Sequence, residues 1–272
     1  MSETVHAAET RYETLRLTRD GAVDWLTLNR PERLNAMDNR MCDELQDYFG
    51  GLYTRHATRV VVLRGAGRGF CAGVDLKAPQ EVSAGPAPGL RAQRRVTEVI
   101  LRMRRCPQPI VCLVHGAAAG GGLALALAAD IRIAAPSARM NVGMVLLGLT
   151  GCDAGISYFL PRAVGTSVAA ELMMTGRFIG AERALRVGLV SDVVAEDGLE
   201  AAGRALAGEM LRTAPLGLRL TKEGLGLALD APSLEAAVTI EDRGQILCAS
   251  GGYFREGMAA FREGRAPSYP DE

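Results

Sequence analysis

Apolar and polar residues alternate through "YETLRLT" and "AVDWLTL", and this period of two predicts a pair of β-strands. Asp20-Gly21 between them favours a tight hairpin turn. The spacing then becomes helical. Met41, Cys42, Leu45, Phe49 and Leu52 share one face, Asp38 is placed to cap the helix, and Gly50 and Gly51 weaken its end. "VVVLRG" (60–65) is a short unbroken apolar run, as a strand buried on both faces requires. The Pro/Gly/Ala stretch 78–89 predicts an irregular loop. A helix over about 90–105 follows, with Val96, Val99, Ile100 and Met103 inward and its arginines forming a solvated face. Strand, glycine loop and helix recur over 110–127, followed by a strand in "IRIAA". Next come a helix closed by Gly176 and a helix–glycine–strand unit in "AERALRVGLVSDVV". From about Leu199 the chain reads as helical, with breaks at Pro215, Pro232 and Gly251-Gly252. Strands alternating with helices ahead of a helical tail predict an α/β fold. Residues 1–198 would form its core and 199–272 a C-terminal helical region.

Composition narrows the function classes. The chain has 272 residues, with 31 basic and 31 acidic, so it lacks the basic surface expected of a nucleic-acid binder. No apolar run approaches the roughly 18 residues of a membrane span. The opening stretch lacks the basic-then-apolar order of a secretory signal, so a cytoplasmic location is expected. The 6 cysteines are scattered and read as reduced core thiols. His6, His56 and His115 have no metal-ligand spacing, so no metal site is expected.

The chemistry concentrates in two segments of one design, "VVVLRGAGRGFCAGVDLK" (60–77) and "IVCLVHGAAAGGGLALAL" (110–127). Each runs from a buried strand through a glycine loop toward a helix. The first amides of a helix have no intrahelical partner and sit at the positive end of its dipole. Two such amides aimed at one point would stabilise a developing oxyanion, where losing one donor costs about 3–4 kcal/mol. A competing reading makes Gly120 to Gly122 a device for tight helix–strand packing. A dinucleotide loop is disfavoured, because Phe70 stands where the third glycine of that fingerprint belongs. Arg30 and Arg33 lie on a loop after a strand, where cationic ends can meet phosphates.

The ordered motifs "NRPERLNAM", "GRGFCAGVDLK", "HGAAAGGG", "AADIRIA", "LPRAVG", "LMMTGRFIGAERALRVGLV" and "FREGMAAFREGRAP" resemble the crotonase, or enoyl-CoA hydratase/isomerase, superfamily from about Tyr12 to Pro267. The resemblance implies a spiral of ββα repeats with a C-terminal helical trimerisation region, giving a homotrimer or a dimer of trimers. It implies an acyl-CoA thioester as substrate, with coenzyme A entering as part of that substrate and no permanently bound cofactor. The thioester oxygen would sit between the amides of Val74 and Gly121. Arg30, Arg33, Leu34, Ala72, Asp75, Leu76 and Lys77 would contact CoA. Where relatives carry a CoA-reaching lysine near the end, this chain has Glu263-Gly264-Arg265, so only Arg265 could substitute. Phe261 is expected in the trimer core.

The resemblance also locates the acids, and here the chain departs from it. The two hydratase glutamates fall on Ala124 and Met144, neither of which titrates. Asp153, in "GLTGCDAGISYFLPR", remains as the expected acid/base, with helix capping as its competing role. Tyr158 is a lesser donor. Met144 and its neighbours Val145 to Leu147, with the 78–89 loop, would line a pocket for a hydrophobic or bulky acyl group. The dehalogenase branch fits poorly, because the only tryptophan is Trp25 and positions 78–114 lack histidine until His115. The expectation is an enzyme that stabilises a thioester enolate. The alternative is a non-catalytic acyl-CoA-binding protein.

Overall fold

The computed structural model describes residues 12–78 and 84–269. Its main sheet has six strands in the order β1 (Leu15–Asp20), β2 (Val23–Leu28), β3 (Val60–Gly65), β4 (Ile110–Val114), β6 (Ile131–Ala134) and β9 (Asp192–Val193). Only the β1–β2 pair is antiparallel. The hairpin forms one residue later than expected. Asp20 pairs with Val23 as the last rung, so the turn is Gly21-Ala22, and Gly21 takes the left-handed conformation at φ +56°. A second sheet joins β5 (Ala117–Ala119), β7 (Arg139–Asn141) and β8 (Ile179–Gly180).

Strand β3 shows why the sheet is buried on both sides. Val61 and Leu63 face one core with Leu26, Leu28 and Cys112, while Val60 and Val62 face another with Trp25, Val111 and Ile133. The first core is closed by α1 (Asn39–Gly51), α2 (Pro86–Arg105), α3 (Gly121–Ala128), α4 (Ile156–Val164), α5 (Thr166–Thr175) and α6 (Ala181–Arg186). The second is covered by α7 (Leu199–Leu211) through Leu199 and Ala207. Beyond it lie α8 (Pro215–Ala228), α9 (Leu234–Ser250) and α10 (Gly252–Glu263). This α/β spiral agrees with the fold class the sequence implied.

Several local expectations are refined. Asp38 caps α1, its carboxylate accepting from the Met41 N–H at 2.9 Å. The irregular stretch expected over 78–89 ends early, because α2 begins at Pro86, where a proline's fixed φ suits the first turn; residues 79–83 lie outside the described residues. The arginine face of α2 is partly structural: Arg95 pairs with Asp43, Arg102 with Glu98, and Arg104 with Asp130. Cys42, Cys71, Cys106 and Cys112 are buried thiols, but Cys152 is exposed and Cys248 intermediate. Burial pushes the Cys71 thiol up to about 12.

One buried ion pair fastens α8 to the core. Lys222 Nζ lies 3.1 Å from Asp130 and donates to the carbonyls of Met103 at 3.1 Å and Gln108 at 2.8 Å. Asp130 also accepts from the Ile110 N–H at 2.8 Å. Without Lys222, Asp130 keeps Arg104 at 2.7 Å and the Ile110 N–H, so the loss is that of one ion pair and of a donor to the Met103 and Gln108 carbonyls. Lys222→Met should therefore lower unfolding stability by about 1–2 kcal/mol in urea titration. A loss below about 1 kcal/mol would mean that water reaches the pair and screens it.

Candidate active site

The site is built where three loops lie side by side. After β2, the chain turns through Pro31–Arg33 with Leu34 and Asn35 both left-handed, at φ +52° and +54°. Asn35 holds this loop. Its Oδ1 accepts from the Arg30 N–H at 2.9 Å, and its Nδ2 donates to the carbonyls of Ala66 and Gly69, each at 2.8 Å. Sequence reasoning did not single out Asn35. The available signal was its type, since asparagine tolerates left-handed backbone and bonds locally.

The segment after β3 then runs as a rung between its neighbours. The Cys71 N–H donates to Ala117 at 2.9 Å and the Ala119 N–H to Cys71 at 3.0 Å. On the other side the Met37 N–H donates to Gly73 at 2.7 Å and the Asp75 N–H to Met37 at 2.8 Å. Val74 is thereby carried to the start of α3, the residue as a whole being 40% exposed.

The three consecutive glycines have separate causes. Gly120 is left-handed at φ +51°. A β-carbon on Gly122 would stand 2.0 Å from the Cys71 carbonyl, so packing alone demands glycine there. A β-carbon on Gly121 would instead meet the Met37 methyl at 2.6 Å and lie 3.7 Å from the Val74 nitrogen. The packing reading therefore holds for Gly122, while Gly121 is the residue brought against Val74. As the first residue of α3, Gly121 has an N–H with no acceptor inside the helix.

The two positions next to this loop that could have held acids hold apolar side chains. Ala124 is fully buried within α3. Met144 sits in the short 3-10 turn Gly143–Leu147, its methyl 3.8 Å from where a Gly120 β-carbon would be. Leu146, Leu147 and Leu149 follow as exposed apolar residues.

Asp153 lies between that turn and α4, which like α2 packs on α3. It does not cap α4. The N-cap is Gly155, with no side-chain bond, and only the Asp153 backbone carbonyl meets the helix, accepting from Ile156 at 2.8 Å. The carboxylate Oδ1 accepts instead from Gln93 Nε2 of α2. Ala154 is left-handed at φ +44°, a conformation that strains a residue with a β-carbon. Tyr158 is engaged elsewhere: its hydroxyl donates to Asp230 at 2.5 Å, and that hydrogen bond raises the phenol.

The residues expected near CoA divide into two groups. Arg30 and Asp75 hold each other at 3.0 Å, and Arg30 also lies 3.2 Å from Asp38 and donates to the Ala36 carbonyl. Arg30 thus joins two loops and is only 16% exposed, so it does not present an open cation. Arg33, Leu76 and Lys77 are exposed on the same rim, with Leu34 and Ala72 half-buried between them. Arg265 is tied to Glu256 and Glu263 of its own helix and turn. Near Asp153, a cavity of about 800 Å³ is lined by Ala154 and Gly155 together with Ile100, Leu127, Phe159 and Leu225.

A family model described as enoyl-CoA hydratase/isomerase matches residues 18–272. The chain is 43% identical over 256 residues to the "probable enoyl-CoA hydratase EchA12" of Mycobacterium tuberculosis, covering 91% of this chain and 89% of that one. It is 36% identical to the 1,2-epoxyphenylacetyl-CoA isomerase of Escherichia coli, covering 90% of this chain and 93% of that one. It is 37% identical to the (E)-benzylidenesuccinyl-CoA hydratase of Thauera aromatica, covering 91% and 95%. The crystal structure of a candidate enoyl-CoA hydratase from Streptomyces coelicolor A3(2) superposes with a TM-score of 0.92 at 38% identity, covering 100% of each chain.

The Asp75 link has a pH signature. Burial alone would raise this carboxyl, but the Lys77 N–H and the Arg30 guanidinium outweigh it and hold it below the usual carboxylate range. Its stabilisation is therefore complete above about pH 4 and is lost as pH falls through the lower folded value. Asp75→Asn should flatten that part of the acid limb of stability, read as urea midpoints from about pH 5 to pH 2. An unchanged slope would show that the link contributes nothing.

Proposed function

The chain belongs to the enoyl-CoA hydratase/isomerase family, and from that premise we propose that it moves a double bond within an acyl-CoA thioester by proton transfer, with Asp153 as its acid/base. The observation that carries this reading is the apolar character of Ala124 and Met144 beside the glycine loop, with one carboxylate, Asp153, on the adjoining loop. Hydration requires acid/base groups that hold and split a water. Alanine and methionine do neither, and both tend to exclude water.

In the proposed reaction, the thioester oxygen accepts from the N–H groups of Val74 and Gly121. Asp153 removes the α-proton of a β,γ-enoyl-CoA, and the electron pair spreads into a dienolate whose charge rests on that oxygen. The same proton returns at the γ-carbon, leaving the α,β-unsaturated isomer and a free carboxylate. Support for the paired amides is the 3.7 Å approach of a Gly121 β-carbon position to the Val74 nitrogen and the place of Gly121 at the start of α3. A backbone N–H neither titrates nor swings away, and each such donor is worth about 3–4 kcal/mol of barrier.

Arg33 and Lys77 supply the open charges for CoA phosphates, and Leu34, Ala72 and Leu76 the apolar edge for the pantetheine arm. Arg30 and Asp75 shape that edge without meeting the ligand. Exposed Leu146, Leu147 and Leu149 favour a bulky acyl group, and an aryl-bearing one agrees with the phenylacetyl and benzylidene substrates named for two relatives. A second copy of the chain is the proposed cover for Leu234, Ile246, Phe254 and Phe261, which are exposed on α9 and α10.

Asp153→Asn should lower isomerisation of an aryl-bearing β,γ-enoyl-CoA by about 10²–10⁴-fold, followed as the rising absorbance of the conjugated α,β-enoyl thioester. Full turnover in the variant would remove Asp153 from the reaction. Saturable acyl-CoA binding with no isomer formed by the wild-type protein would favour the non-catalytic binder, for which the missing acids at Ala124 and Met144 are the motive.

A further inference from the structure

Asp153 stands on a loop, and a base needs its lone pair aimed within a fraction of an ångström. Ordinarily a helix start would fix such a carboxylate as a cap, but α4 is capped by Gly155 without any side-chain bond. Left-handed Ala154 and Gly155, at φ +44° and +81°, turn the chain between Asp153 and the helix. What holds the carboxylate comes from a different element. Gln93 projects from α2, a helix anchored in the core by Val99, Ile100 and Met103, and its Nε2 donates to Asp153 Oδ1. Oδ2 accepts no hydrogen bond among the described residues.

We propose that Gln93 is the positioning residue of the site: its amide fixes one carboxylate oxygen of Asp153 so that the other faces the acyl carbon. This rests on the reading of Asp153 as the acid/base.

The residue type suits the task. A lysine or arginine here would hold the carboxylate in its charged form and oppose proton uptake. An amide orients the group with a much weaker bias, and it cannot titrate, so the orientation persists across the catalytic cycle. One oxygen stays held while the other takes the α-proton and returns it to the γ-carbon. Transfer between two carbons of one substrate needs such a pivot, because the carboxyl must serve both positions without leaving the pocket.

The test is a double-mutant cycle on an aryl-bearing β,γ-enoyl-CoA, with Gln93→Leu and Asp153→Asn, each alone and combined. Gln93→Leu should lower kcat by about 10- to 100-fold, the range for a hydrogen bond to a charged group, with KM within about twofold and thermal unfolding unchanged. In the Asp153→Asn background the same change should cause no further loss of residual isomerisation. Gln93→Glu, which keeps the shape but sets a carboxylate against a carboxylate, should match the Leu variant at pH 7 while folding normally. Equal losses in both backgrounds, an effect confined to KM or stability, or wild-type kcat in Gln93→Glu would overturn the proposal and leave Asp153 in place. Full turnover of Asp153→Asn would overturn the role of Asp153 and this proposal with it.

Discussion

Everything at the site depends on how closely α3 approaches the segment 71–74. That segment hydrogen-bonds to residues 117–119 on one side and to Met37 on the other, so it cannot retreat. The helix can begin there only because Gly122 has no β-carbon to strike the Cys71 carbonyl at 2.0 Å. Even one methyl would push the first turn of α3 outward and separate Gly121 from Val74. In a close-packed interior such a shift is not absorbed locally. The glycine triplet thus has one residue that sets the approach, one that sets the backbone hand, and one that benefits from both.

Much of this was legible in the sequence, because both the fold and the loops are written in local patterns. The unbroken apolar run of β3 announced a strand buried on both faces, and Asp38 announced the start of α1. What was not legible depended on pairing across the chain. Arg30 read as a free cation, yet it is consumed by Asp75, 45 positions away. The α2 arginines read as solvated, yet three of them find acids on α1, on their own helix and at the start of β6. Asn35 carried only the weak signal of its residue type and Gln93 none, since a lone amide is informative only once its partner is known. Asp153 stood open between capping and catalysis, and what removes the capping role is the backbone hand of Ala154 and Gly155, which one side chain in sequence cannot reveal.

The electrostatic design of the proposed site follows from where charge is withheld. Arg265 is bound to Glu256, and Arg30 to Asp75 and Asp38. The residues against the glycine loop, Met37, Ala124 and Met144, carry no charge at all. In such surroundings a dipole acts more strongly than it would in water, so two backbone amides can matter as much as a cation elsewhere. In the proposed reaction a single carboxylate, with no second acid at Ala124 or Met144, has no partner for splitting water, which favours returning its proton to the substrate.

That economy has a structural cost at Ala154. A β-carbon at φ +44° costs on the order of 1–2 kcal/mol, and glycine at that position would relieve it. Yet the residue is buried against the helices around it, and its methyl narrows the freedom of the turn that carries Asp153. Glycine there would gain local comfort and lose the restriction, letting the carboxylate wander relative to Gln93. Strain in the backbone and restraint in the side chain are therefore two parts of one arrangement: the first removes Asp153 from its own helix, and the second gives it a fixed direction.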